Sequence, residues 1–284
     1  MVLTGANVAL AKTISAQVPV YVFMFFRFLL ATAALLILVN REAGPKLTHM
    51  SARQIRDLAA MALIGMVGFT ALLFEGLKRT SAADAGIITA TLPAVAALFG
   101  ILAMGERLRG PQAAAVGLAV TGLLVVAATG AQRGTATLLG NLLVVAAVVC
   151  EAGFVILGKR LAPPYRPLRL ALGANMAALV FAAPLAALEA PFDVAAVSAG
   201  LWLKATWYAL SASVFCLWLW YRGLPEVETW LAGLTTAAVP ITALAASALL
   251  LGEAIDAWKL LGGALVLAAI GLGAVPSGRH QSSP

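Results

Sequence analysis

Arg27 and Glu151 are ionisable residues that lie well inside long apolar stretches of the sequence, where a charge must be matched by a partner. Arg27 lies in Val18–Val39 and Glu151 lies in Leu138–Leu157. An unpaired charge at the centre of a membrane costs at least about 2.5 kcal/mol, so neither side chain should face lipid. For Arg27 the sequence favours a structural pairing over a substrate contact. Glu151 keeps two interpretations: a group that titrates a proton or contacts a cation, or a structural partner of Arg27 or Lys12.

A second set of candidates combines polar and aromatic side chains. Trp207, Ser211 and Trp218 recur at helical spacing along the segment Gly200–Tyr221. Aromatic residues also form belts at membrane interfaces, and hydroxyls beside prolines often bond to their own helix, so these alternatives stay open. The candidates for lining a substrate cavity are Asn7, Thr89, Glu151, Phe154, Trp207, Ser211, Trp218 and Thr235.

The sequence offers no catalytic motif that competes with these candidates. It contains neither GxSxG nor HExxH, and its two histidines, His49 and His280, lie in polar connections. Cys150 and Cys216 fall inside apolar runs and behave most simply as small hydrophobic residues. We therefore expect no enzyme activity, no catalytic residue, no cofactor and no metal ligand.

Membrane-spanning helices must position these residues. The chain of 284 residues is 62% hydrophobic and 11% charged, with a mean hydropathy of +0.97, whereas soluble domains carry roughly a quarter charged residues. A helix needs about 20 apolar residues to span a bilayer, and the runs lack the alternation of a β-barrel. The predicted crossings of this all-α integral membrane protein are Met1–Ser15, Val18–Val39, Leu58–Leu77, Ala82–Met104, Ala113–Thr129, Leu138–Leu157, Leu168–Leu188, Gly200–Tyr221, Trp230–Leu251 and Trp258–Val275.

The basic residues indicate the orientation of these crossings. With the N-terminus inside, twelve Lys and Arg residues fall in inner segments and five in outer ones, so the sequence predicts that both termini are cytoplasmic. The net charge of +7 is therefore explained by basic residues in the loops that set the orientation of the helices. No basic run is long enough to bind a phosphate backbone, and we expect no nucleic-acid partner.

An internal repeat is the most informative feature of the chain. A shift of 147 residues places Lys12 on Lys159 and Pro93 on Pro240. Each copy holds an odd number of crossings, so the second copy, residues 134–284, should be inverted relative to the first, residues 1–133. The shift also superposes a helix-turn motif that consists of Gly105 and Glu106 in the first copy and Gly252 and Glu253 in the second.

The repeat also leads to expectations for individual elements. Pro93 and Pro240 remove a backbone donor inside the fourth and ninth crossings and act either as hinges or as static kinks. Gly105 suits a left-handed helix end, and Glu106 suits the start of the next helix. Because Met1 corresponds to the middle of the sixth crossing, the first crossing is short, and we expect a start upstream of Met1.

The sequence resembles the drug/metabolite transporter superfamily in its EamA-type branch. The resemblance covers the whole chain and is carried by RFLLA at 27–31, by Gly76–Leu108 and by its second copy Gly223–Ile255. It implies ten helices with cytoplasmic termini and a central cavity lined chiefly by helices 1, 3, 4, 6, 8 and 9. It further implies export of small metabolites or amino acids.

Residues and resemblance together predict a secondary transporter that works by alternating access. Few charges beside deep aromatic residues favour a neutral, zwitterionic or aromatic solute, and amino-acid export is the specific hypothesis. The location predicted is the bilayer of a bacterial inner membrane. The fifth and tenth crossings, rich in small residues, serve as scaffold or homodimer contact. The alternatives are a non-transporting scaffold or receptor, an intramembrane enzyme and a channel.

Overall fold

The chain forms a bundle of apolar helices. The computed structural model describes residues 1–39, 45, 47–96, 98, 110–132, 135–161, 165–189, 191–216, 218–219 and 238–273. In these ranges the regular secondary structure is helical throughout, which confirms the predicted all-α class. The main helices are α1 (Val2–Ser15), α2 (Val20–Val39), α3 (Ala52–Leu77), α4 (Ala82–Ala96), α5 (Gly110–Gln132), α6 (Thr135–Leu161), α7 (Pro167–Leu188), α8 (Ala199–Leu210, continued by Ser211–Phe215), α9 (Ala238–Leu251) and α10 (Ala257–Gly273).

Several helices have the length and composition of membrane spans. In the described ranges, five spans meet both conditions: they lie in α2, α3, α5, α6 and α7. Helices α4, α9 and α10 are apolar but shorter. Large apolar side chains such as Ile37, Val180 and Leu249 are exposed on the outside of the bundle. Such a surface suits a hydrocarbon environment and not water.

Small polar residues set the starts of several helices. Ser51 and Gln54 form a reciprocal capping box at the start of α3, which satisfies backbone donors that a first turn leaves open. Ser81 caps α4 in the same way, by accepting the N–H of Asp84 at 2.9 Å. The end of α9 is fixed by Gly252, whose φ of 65° is the left-handed value expected for this motif.

The fourth helix is interrupted ahead of its proline. Its first part ends at Thr89, Ala90 and Thr91 form a turn, and the helix continues to Ala96. Pro93 lacks the donor that an uninterrupted helix would need there. Pro240 lies in the first turn of the described part of α9. Gly105, Glu106 and Thr235 lie outside the described residues.

Glycines let the helices approach closely. A Cβ added to Gly5 of α1 would overlap Thr242 and the backbone carbonyl of Val239, both in α9. Gly86 of α4 is packed directly against Ala243, which also lies in α9. Contact between α9 and its two neighbours therefore depends on positions that have no side chain.

We predict that Gly5→Val destabilises the protein because the added side chain meets backbone that cannot move aside. The expected result is a clearly lower melting temperature of detergent-purified protein, measured by size-exclusion chromatography after heating. The matched control is Gly117→Val on α5, where nothing lies within 4 Å of the added Cβ. An equal melting temperature for the two variants would contradict the packing of α1 on α9.

Candidate functional site

Two helices contain a π-helical turn at corresponding positions of the repeat. The α3 π turn spans Leu63–Gly68 and the α8 π turn spans Ser211–Phe215. Adding 147 to 64 and 68 gives 211 and 215, so the two turns superpose under the repeat. π turns inside α-helices occur frequently at functional sites. Neither turn was predicted from the sequence, because no residue pattern marks a π turn in an apolar run.

Arg27 of α2 joins the two π turns. Its Nε donates to Oγ of Ser213, in the α8 π turn, at 3.0 Å. Its Nη1 donates to Oγ1 of Thr70, which follows the α3 π turn, also at 3.0 Å. Thr70 in turn donates to the carbonyl of Met66 at 2.7 Å. The side chain of Arg27 is 8% exposed, so a full charge lies in the interior and links three helices.

Aromatic rings surround this charge. The guanidinium lies 5.2 Å from the ring centre of Tyr208 and 5.3 Å from that of Phe28, both cation–π distances. Tyr208 makes edge contacts with Phe23 and Phe74, which stack on each other at 4.8 Å. Phe23 and Phe74 were not predicted, since an aromatic residue in an apolar run carries no mark of its own.

Glu151 of α6 is the acidic residue whose field reaches Arg27. Among the described residues the two groups form no direct ion pair, and Glu151 as a whole residue is partly buried. The structural pairing considered for Arg27 thus takes the form of hydrogen bonds to two hydroxyls.

Two predicted cavity residues bind each other. Asn7 of α1 donates from Nδ2 to Oγ of Ser211 at 3.0 Å, and Ser211 lies 3.2 Å from Asn7 Oδ1, a second possible acceptor. Both side chains are buried. The contact connects α1 to the α8 π turn. It therefore places a buried amide two residues along the chain from Ser213, which binds Arg27. Their role in substrate binding stays a prediction.

The other predicted residues occupy varied positions. Phe154 is partly buried and packs over Gly65 in the α3 π turn. Thr89 donates to the carbonyl of Gly86 in its own helix at 3.1 Å. This is the bond to its own helix that the sequence left open as the alternative to lining a cavity. Trp207 is 53% exposed, and Trp218 is 37% exposed, with its ring centre 6.2 Å from that of Phe215 in a tilted arrangement. Exposure of this kind suits lipid as well as an open cavity, so the cavity role of both tryptophans stays a prediction.

Charged side chains tie helix ends together at one end of the bundle, which we call the Lys12 end. Lys12 Nζ donates to the carbonyls of Leu77 and Thr80, at the end of α3. Glu253 accepts the N–H groups of Ala82 at 2.8 Å and Ala83 at 3.0 Å, at the start of α4. Both contacts complement the partial charges of helix termini. Sequence reasoning assigned Glu253 to a turn and missed that its carboxylate binds the start of α4.

The same device recurs beside α2. Glu189, at the end of α7, accepts the N–H groups of Tyr21 at 2.8 Å and Val22 at 2.9 Å. A carboxylate that follows one helix thus caps the start of another helix, as the carboxylate of Glu253 does. These hydrogen bonds tie helix ends together at the Lys12 end of the bundle.

Apolar spans around an interior that contains charged and polar side chains define an integral membrane protein. Comparison of the sequence specifies the class. The chain belongs to the EamA-like transporter family, whose profile matches residues 1–128 and 138–273. This confirms the resemblance inferred from the two Gly-Glu motifs.

Relatives and a solved structure agree with this assignment. The uncharacterized transporter YetK of Bacillus subtilis (strain 168) is 29% identical over 276 residues, covering 95% of this chain and 83% of the relative. A probable terminal-alkyne amino-acid exporter of Streptantibioticus cattleyicolor is 30% identical over 248 residues, covering 86% and 80%. A crystal structure with 19% identity has the same fold, with a TM-score of 0.67 over 96% of this chain and 94% of that chain. Family and relatives are transporters, which confirms that the protein is not an enzyme.

We predict that Ser211→Ala lowers the melting temperature, because it leaves the buried Asn7 amide without its partner at a cost of about 1–3 kcal/mol. Replacing both partners, as Asn7→Leu with Ser211→Ala, should restore part of the loss. The control is Thr121→Ala, whose exposed hydroxyl donates to its own helix at Gly117. A double variant less stable than Ser211→Ala alone would argue against a pairwise contact.

Proposed function

We propose that the protein is a secondary transporter that exports amino acids or similar small metabolites across a bacterial inner membrane. In this proposal ten crossings form two inverted halves, residues 1–133 and 134–284, with both termini in the cytoplasm. The halves rock around a central cavity. The observation that carries the proposal is the burial of Arg27 between two repeat-related π turns, because a charge held there supports a polar site where the two proposed halves would meet.

Helix packing supports the inverted repeat. In the contact between α5 and α10, Gly262 faces Val126 and Gly273 faces Ala115. Adding 147 to 115 and 126 gives 262 and 273, so each contact is the repeat-related copy of the other. Under the 147-residue shift α1 corresponds to α6, and α4 corresponds to α9. The contact of α1 with α9 therefore has a repeat-related copy, the contact of α6 with α4, and both contacts are present. The family profile also matches in two ranges that agree with the two halves.

Amino acids are the favoured cargo for two reasons. The relative from Streptantibioticus cattleyicolor is named an amino-acid exporter and aligns with 86% of this chain. The interior of this chain also offers both a cationic group, Arg27, and an acidic group, Glu151, to a zwitterion. A homodimer through α5 and α10 stays part of the proposal, since both helices expose apolar side chains such as Leu124 and Leu260.

Alternating access requires the Lys12 end to open. The contacts of Lys12 and Glu253 with helix ends close it here, and their loss would free the start of α4 from α9. The interruption at Ala90 and Thr91, ahead of Pro93, provides a point at which α4 can bend. Pro93 and its mate Pro240 are therefore proposed as hinges.

The proposal predicts carrier-mediated flux of amino acids in proteoliposomes that contain only this protein. A panel of neutral, aromatic and charged amino acids, offered as competitors against a radiolabelled neutral amino acid, should show saturable and selective competition. Protein-free liposomes are the control. No flux for any member of the panel would reject the exporter and favour a scaffold or receptor, which binds or assembles without carrying solute.

We also predict that Glu253→Ala opens the Lys12 end. A cysteine placed at Ala83, which is fully buried, should react faster with an impermeant maleimide once the carboxylate no longer holds the start of α4. The background replaces Cys150 and Cys216 with alanine. Glu75→Ala is the matched control, since Glu75 forms only exposed ion pairs at the same end. Equal labelling in both variants would exclude Glu253 from the closure.

A further inference from the structure

Arginines concentrate at the end of the bundle opposite the Lys12 end, which we call the basic end. The start of α3 packs there against the end of α6 and the start of α7. The arginines of these three segments are Arg53, Arg56, Arg160, Arg166 and Arg169. Asp57 is the one acidic residue that the structure describes in the same segments. The basic end therefore carries a strong excess of positive charge.

The Lys12 end has a balanced surface charge instead. Lys78 and Arg79 pair there with Glu75, at 2.6 and 2.7 Å. Further carboxylates at that end belong to Glu189, Asp193 and Glu253. Because opposite charges attract and like charges repel, an anionic partner would favour the basic end over the Lys12 end.

Most of the arginines at the basic end are free to bind such a partner. Arg53, Arg160 and Arg166 are exposed, and none of them forms an ion pair with a residue that the structure describes. Arg56 pairs with the neighbouring Asp57 at 3.1 Å, but its side chain is 72% exposed. An exposed guanidinium offers several N–H donors in a planar fork, which matches the oxygen atoms of a phosphate group.

A buried tyrosine joins two of these arginine positions. Tyr165 is 6% exposed, and its hydroxyl donates to Oε1 of Gln54 at 3.4 Å. Gln54 follows Arg53 in the chain and Tyr165 precedes Arg166, so the two arginines flank this contact. The capping box with Ser51 holds Gln54 from its other side. The backbone that carries the two arginines is therefore fixed by hydrogen bonds.

The length of α3 places its first turns at the depth of lipid headgroups. Its apolar span, Ala52–Leu77, has 26 residues. At about 1.5 Å per residue the span is about 39 Å long, whereas the hydrocarbon core of a bilayer is about 30 Å thick. With Leu77 at one boundary of the core, Leu58 reaches the other. Residues 52–57 then extend roughly 9 Å beyond it, into the headgroup layer.

The exposed side of α3 changes from basic to apolar at this boundary. Arg53 and Arg56 are exposed in the first turns, and Leu63 and Ile64 are each 47% exposed further along. Arg56 and Leu63 are seven residues apart, so they lie on one side of the helix. A phospholipid presents the same order, with a phosphate above its acyl chains. This order distinguishes a lipid from a soluble anion.

We propose that the basic end binds the headgroups of anionic phospholipids, with Arg53, Arg160 and Arg166 as phosphate ligands and Leu63 and Ile64 against the acyl chains. The proposal goes beyond the transport function and depends only on the location of the protein in a membrane. Loop arginines also set orientation during insertion. Lipid binding is a separate role, because it acts in the folded protein.

The test compares two lipids on purified protein in an uncharged detergent. The protein is titrated with phosphatidylglycerol or with phosphatidylcholine, and native mass spectrometry counts the bound lipids. Wild-type protein should bind phosphatidylglycerol about 10- to 100-fold more tightly, since one arginine near anionic lipid contributes about fivefold. The triple variant Arg53→Gln, Arg160→Gln and Arg166→Gln should lose this preference.

Two control variants separate the surface from net charge and from folding. Lys78→Gln, Arg79→Gln and Lys204→Gln together remove the same charge from the Lys12 end and should leave the preference unchanged. Replacing Arg53, Arg160 and Arg166 with lysine keeps the charge without the forked geometry, and most of the preference should remain. A preference that survives in this variant and is absent in the glutamine variant depends on charge at these three positions.

Three results would each overturn the proposal. Equal binding of the two lipids by the wild type would show that no such surface exists. An equal loss of preference in both glutamine triple variants would assign the preference to net charge. Displacement of phosphatidylglycerol by an equal concentration of inorganic phosphate would indicate a site for soluble anions. None of these results bears on the exporter, since the test measures no flux.

Discussion

The cost of a buried charge is the constraint on which the centre of this structure depends. Arg27 lies among apolar helices, where an ion without partners is strongly unfavourable. Its two hydroxyl acceptors belong to α3 and α8, so the charge can be held only when those helices keep their relative position. The rings of Tyr208 and Phe28 complete the surroundings with polarisable surface. One residue thereby links α2 and α3 to α8.

The π turns explain how such contacts arise in helices that must satisfy their own backbone. In an apolar environment every backbone N–H and C=O needs a partner, which favours uninterrupted helices. A π turn widens the helix by one residue and changes the direction in which the following side chains point. The hydroxyl of Thr70 bonds to the carbonyl of Met66 within this region. That arrangement lets the same hydroxyl oxygen accept from Arg27, so a local irregularity becomes a contact between helices.

The sequence predicted the all-helical class correctly because long apolar runs have few alternatives to helices. It placed the third crossing from Leu58, whereas α3 begins at Ala52, since the capping box of Ser51 and Gln54 extends the helix into polar sequence. Asn7 and Ser211 were recognised because buried polar residues are rare in such runs. Three features could not be predicted from the sequence: the π turns, the stacked rings of Phe23 and Phe74, and the binding of Glu253 to the start of α4. They depend on which helices meet, and composition carries no information about that.

Backbone symmetry and side-chain asymmetry together favour a single binding site. The two π turns correspond under the 147-residue shift, but their surroundings do not. The residue that corresponds to Arg27 is Ala174, and the residue that corresponds to Glu151 is Thr4. A symmetric backbone gives two arrangements of similar energy when the halves exchange roles, which alternating access needs. Because neither charged residue has a charged counterpart in the other repeat, the chain has one such polar position instead of two.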